Sequence, residues 1–98
     1  MSDQAFEPVP TGNFIMFRVK SSMISAAGHI ARLSVMQIRF KPKAGEVVGP
    51  LDQYAKISRD LFDELLDADS IGKAFTRLIK NKPQYPCVQV VEKEGANE

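Results

Sequence analysis

SRDLFDELLDADSIGKAFTRLI, residues 58–79, decides the fold, because two amphipathic helices and the break between them can be read from it. Ser58 is placed to accept a bond from an otherwise unpaired N–H of the first helical turn. Asp60, Asp63 and Glu64 follow where negative charge favours the positive end of a helix dipole. Leu61, Phe62, Leu65 and Leu66 recur at helical spacing and form one apolar stripe. Asp69 or Ser70 then caps a second helix, whose buried face is Ile71, Ala74, Phe75, Leu78 and Ile79. Lys80 and Lys82 complement its C-terminal end before Pro83 stops it. The link between the helices is too short to travel, so they must be neighbours.

Upstream, the pattern changes from helical to alternating. In Met36-Gln37-Ile38-Arg39-Phe40 the apolar residues alternate with polar ones, which predicts a strand with Met36, Ile38 and Phe40 toward the core and Gln37, Arg39 and Lys41 away from it. Phe14–Val19, rich in aromatic and branched residues, predicts a first strand, and Met23–His29 a second. Residues 41–50 hold two prolines and two glycines and read as a loop, after which Gln53–Ile57 returns as a short strand. Downstream, Cys87–Val91, entered through Pro83 and Pro86, reads as a C-terminal strand. The fold class is therefore α+β: an antiparallel sheet of three to five strands followed by two short adjacent helices packed on it. Residues 14–91 form the single domain, with flexible tails at 1–13 and 92–98.

Composition narrows the functional classes. The chain has 98 residues, 44% of them hydrophobic and 26% charged, which suits one globular core and leaves no room for two. A domain of this size buries only about 60–65% of the surface its unfolded chain exposes, so a homo-oligomeric interface would add useful stability. Thirteen Lys and Arg against twelve Asp and Glu leave a net charge of +1, so any anion site must come from local clustering. One cysteine and one histidine provide neither a disulfide nor a zinc ligand set. The start of the chain lacks a basic and apolar leader, and no apolar run approaches the roughly 18 residues of a membrane span. The expectation is a cytoplasmic protein without metal or cofactor and without a membrane.

At the level of motifs, Ser21-Ser22-Met23-Ile24, Gly28-His29, Met36-x-Ile38-x-Phe40, Tyr54-x-x-Ile57-Ser58-x-x-x-Phe62-x-x-Leu65-Leu66 and Ala68-Asp69-Ser70-Ile71-Gly72-Lys73-Ala74-Phe75-x-x-x-Ile79 follow one another in an order that resembles the KTSC domain family. The resemblance spans residues 21–79. That family is named for a domain at the C-terminus of some lysyl-tRNA synthetases and also occurs as stand-alone small proteins of bacteria and phages. The resemblance implies a small α+β binding module with an association with RNA. This chain departs from the family pattern in three places. The central Tyr-x-Tyr is Asp52-Gln53-Tyr54, the aromatic after the glycine is His29, and the loop from Lys41 to Leu51 is longer.

Several residues carry a binding chemistry alongside a plain structural role. Ser70, Gly72 and Lys73 open a helix with small residues and a cation, a geometry that can hold a phosphate on free backbone N–H groups. The structural alternative is an N-cap with Gly72 permitting close packing between the helices. Arg39 and Lys41 belong to a run of cations on or beside two strands, and beside Tyr54 they would stack a base and hold its backbone, as single-strand binders do. The alternative is a solvated sheet face. Lys73, Arg77, Lys80 and Lys82 line one side of the second helix and would extend the Ser70 end into an anion-binding surface, or simply solvate it. Ser21 and Ser22 read as a turn, His29 as a packed residue with one satisfied nitrogen, and Cys87 as a small buried hydrophobe.

No serine or cysteine nucleophile has an activating base in a recognisable motif, so a non-enzymatic binding module is expected. Its ligand is expected to be RNA or a nucleotide-like phosphate, bound through Arg39, Lys41, Tyr54, Ser70, Gly72, Lys73 and Lys80. The alternatives are a protein-interaction or adaptor role, including a phage host-factor inhibitor, and an oligomeric binder of a signalling nucleotide.

Overall fold

Along the chain run β1 (Phe17–Arg18), β2 (Ile24–Ile30), β3 (Val35–Phe40), β4 (Leu51–Ala55), α1 (Arg59–Asp67), α2 (Ile71–Leu78) and β5 (Cys87–Gln89). The structure is a computed structural model that describes residues 8–90. Each strand pairs antiparallel with the next, giving a five-stranded sheet in the order β1-β2-β3-β4-β5. This is the α+β arrangement expected, including the C-terminal strand. Of the segments expected as tails, 1–13 and 92–98, residues 1–7 and 92–98 lie outside the described residues, whereas residues 8–13 are described and form a short turn at Thr11–Asn13 and contacts through Val9.

Strand register sorts the side chains onto two faces. Met36 stands opposite His29 and Tyr54, and Ile38 opposite Ala27 and Asp52, so these residues share the face that the helices cover. A bulge between Ile24 and Ala26 changes the parity of β2, so that Ile24 joins Ala27 on that face although they are an odd three positions apart. Ile24, Ala27, Met36, Ile38 and Tyr54 pack with Ile57, Phe62, Leu65, Ile71, Ala74, Phe75 and Ile79 as one core. Phe75 is its hub, meeting Phe40 edge-on at 5.7 Å and Tyr54 at 5.4 Å between ring centroids. His29 stacks on Phe62 at 5.0 Å, and its Nε2 lies 2.7 Å from the Ile57 carbonyl while Nδ1 has no partner, so one nitrogen is satisfied as expected.

Both helices begin where their caps were expected. Ser58 Oγ accepts the Leu61 N–H at 3.0 Å and Ser70 Oγ accepts the Lys73 N–H at 3.3 Å. The end of α2 is set by Asn81 rather than by proline alone: Asn81 adopts φ 62°, a left-handed conformation that asparagine tolerates, before Pro83 is reached.

Three expectations need correction. Gln37 points away from the helices but is fully buried, as is Gln53 beside it, because the chain before β1 crosses that far face. Val9 is tied there through both of its backbone groups, by Gln53 Oε1 and Gln37 Nε2. For the same reason the first strand is short: Phe14 is buried while Ile15 is 74% exposed, and residues 14–16 pass over Gly28 before pairing starts at Phe17. Cys87, finally, is an exposed residue of β5, beyond which no strand pairs among the described residues.

Candidate functional site

The helix α2 and the turn leading into β2 build a groove that gathers several of the expected residues. Ser21 Oγ accepts the N–H groups of Met23 at 3.0 Å and Ile24 at 3.1 Å, which folds residues 21–23 into a tight turn. Gly72 lets the first turn of α2 press against it: a Cβ there would stand 3.3 Å from Ser21 Oγ and 3.5 Å from Met23 Cβ. The close packing expected of Gly72 is therefore between α2 and this turn, not between the two helices. Between them opens a groove lined by Ser22, Met23, Ser70, Gly72, Lys73, Thr76 and Arg77. Met23 and Gly72 supply apolar floor, and the exposed Lys73 and Arg77 stand one helical turn apart on its rim. Thr76 is anchored by donating to the Gly72 carbonyl at 2.9 Å.

Lys73, in the first turn of α2, and Arg77, in its last turn, both bring positive charge to the groove, and the helix dipole adds to the attraction for an anion at the Lys73 end. The depression along α1, by contrast, is lined by Asp60, Asp63, Glu64 and Asp67 and repels an anion. Among the described residues no group of three or more His, Cys, Asp or Glu could hold a metal ion. No helix among them is long and apolar enough to cross a membrane.

The expected residues divide accordingly. Ser70, Gly72 and Lys73 come together in the groove. Lys41 is exposed, and its N–H bonds the Met23 carbonyl at 2.9 Å, so its backbone adjoins the turn without lining the groove. Lys80 is exposed just beyond the end of α2 and also lies outside the lining. Arg39 and Tyr54 do not form the expected stacking platform. They stand on opposite faces of the sheet: Arg39 donates Nη1 to the Gly49 carbonyl at 3.0 Å, and Tyr54 is 5% exposed with its ring against Phe75. Strand parity separates them, because Tyr54 pairs with Met36 whereas Arg39 is three residues further along β3. Met23, quoted only within the family motif and a predicted strand, and Thr76, unmarked, are lining residues that the sequence did not assign to a site. Arg77 was visible only as part of the basic side of the helix.

Asp52, Tyr54 and Cys87 form a separate polar cluster across β4 and β5, where Tyr54 faces Cys87 in register. Desolvation pushes the Tyr54 hydroxyl upward, and although Cys87 as a residue is exposed, partial burial of its thiol beside β4 pushes that group upward too, against a lowering bond with Tyr54; the nearby Asp52 charge raises both. Desolvation likewise raises the Asp52 carboxyl, against a lowering bond from Cys87. A thiol held in its protonated form is a weak nucleophile, so the cluster is built for hydrogen bonding.

Comparison with known proteins agrees with the fold. The family model for the KTSC domain matches residues 20–85. A search of the curated proteins finds no match. Among solved structures, a KTSC domain protein from Yersinia pestis is similar in fold, with a TM-score of 0.67 and 23% identity over 80% of this chain and 99% of that one.

Proposed function

This chain belongs to the KTSC domain family, and on that premise we propose that it is a non-enzymatic binding module for a phosphate-bearing ligand, RNA or a nucleotide, held in the groove between the Ser21–Met23 turn and α2. One observation carries the reading: Lys73 and Arg77 share a groove with Ser70 and Gly72 at the start of that helix. The ligand's phosphate meets the two cations and the helix end, while Met23 offers apolar contact to a base or sugar. Tyr54 and Arg39 take no part, the first being buried and the second engaged with Gly49. The test is thermal stability of the purified chain against mononucleotides, cyclic dinucleotides and short RNAs at low salt. A ligand at about 100 times its dissociation constant adds roughly 2.7 kcal/mol to the folded state, which a melting curve resolves. A panel without any shift removes the proposal.

A second reading, a protein-interaction module, is favoured by the exposed apolar residues Val47, at 92%, and Val48, at 58%, in the loop between β3 and β4. Salt separates the two: phosphate recognition weakens steeply as salt rises and an apolar contact does not.

A further inference from the structure

The far face of the sheet carries an arrangement that the groove does not use. Pro8-Val9-Pro10 crosses it, and Val9 donates its N–H to Gln53 Oε1 at 2.8 Å while its carbonyl accepts from Gln37 Nε2 at 2.8 Å. Gln37 and Gln53 are register partners on β3 and β4, both fully buried, with Gln37 Nε2 also donating to Gln53 Oε1 at 3.2 Å. Burying two amides is unfavourable unless their hydrogen bonds are made, so the pair is suited to receiving a peptide unit rather than to packing. Gln37 Oε1 is buried without a partner, which leaves the pair a further acceptor.

The two prolines determine which residue is held. Neither has an N–H to donate, so Val9 alone of the three can satisfy Gln53. A residue before proline is confined to extended conformations, and Pro10 itself has φ −53° and ψ 131°, close to polyproline II. The segment is thus extended before it docks. Further along, Phe14 is buried at 7% exposure, and Gly28 leaves space for the Ile15 carbonyl and the Met16 side chain.

We propose that Gln37 and Gln53 form a backbone-reading clasp for an extended Pro-x-Pro peptide, filled in this chain by its own Pro8-Val9-Pro10 and able to take the same segment from a separate peptide. Recognition is through the main chain of the central residue, and the flanking prolines supply conformation and register. The resident segment competes at an effective concentration of about millimolar, so an external peptide binds well only when the resident one is weakened.

The test titrates a labelled peptide of residues 6–16 against the full chain and against the full chain carrying Val9→Pro, which removes the N–H that Gln53 accepts. The clasp predicts at least about ten-fold tighter binding by the variant, and no binding of a peptide that itself carries Val9→Pro. Equal binding by the two proteins, or of the two peptides, overturns it. Should the variant not fold, hydrogen exchange on the unmodified chain decides. A Val9 N–H that is protected but exchanges before those of Met36 and Ile38 supports an exchangeable clasp; exchange at the rate of an unstructured peptide, or only together with the core, overturns it.

Discussion

A side chain on Gly28 would place its Cβ 2.8 Å from the carbonyl oxygen of Ile15, and 2.7 Å from Met16 Sδ. Gly28 is in the middle of β2, where glycine has no conformational advantage, so its role is to let another stretch of backbone approach. That approach closes the far face of the sheet over Gln37 and Gln53. A chain of this length cannot leave both faces of a sheet uncovered, and here two helices cover one and residues before β1 cover the other.

Gly28→Ala forces the Ile15 carbonyl and Met16 away from the sheet. The expected loss of stability is about 1–3 kcal/mol, the usual range for overpacking, read as a lower urea midpoint. An unchanged midpoint would mean that residues 14–16 do not lie on this face in solution.

Phe75→Ala removes the ring that Phe40 and Tyr54 both contact. Truncation of a buried phenylalanine costs about 3–5 kcal/mol, a large part of what a domain of this size possesses. Far-ultraviolet circular dichroism across a thermal ramp should show early melting, whereas Phe17→Ala, at a residue 47% exposed, should change little.

Removing a cap separates stability from binding. Ser58→Ala deprives the Leu61 N–H of its acceptor and is expected to cost about 1 kcal/mol in urea unfolding. Ligand affinity should be unaffected, because Ser58 is not in the groove. Loss of affinity in this variant at equal folded fraction would move the site away from α2.

The Cys87 thiol titrates above its ordinary range in the folded chain, through desolvation and the adjacent Asp52 charge. The folded state therefore holds this proton more tightly than the unfolded state does. Stability contributed in this way is complete below the unfolded cysteine value of about 8.5 and is lost as pH rises through the higher folded value. Urea midpoints measured upward from about pH 8 should fall more steeply for the native chain than for Cys87→Ser. Parallel profiles would show that the thiol is no better protected in the fold than in the unfolded chain.

Much of the fold was legible because its signals are local. The caps at Ser58 and Ser70, the stripes of α1 and α2 and the alternation in β3 all lie within short windows, and each is realised where it was expected. The burial of Gln37 was not legible, since alternation shows that it points away from the helices but not that Val9 comes to cover it. The pairing of Arg39 with Tyr54 failed for a related reason: sequence proximity to a cationic run does not reveal which face a strand presents. Ser70, Gly72 and Lys73 were found from helix-end chemistry alone. Met23 and Thr76 entered the groove only through the contact of Gly72 with the Ser21–Met23 turn, a tertiary relationship across some fifty residues.

The most direct test of the proposed site is titration of a fluorescent single-stranded RNA, and of the best nucleotide from the stability panel, against the native chain and Lys73→Ala, Arg77→Ala and Arg32→Ala at several salt concentrations. Arg32 is an exposed cation at the turn between β2 and β3, the opposite end of those strands from Met23, and serves as a control of equal charge. The account predicts weaker binding for both groove variants, with the salt slope for RNA reduced by about one in each, and native affinity for Arg32→Ala. No binding to the native chain, or equal weakening in all three variants, would contradict it.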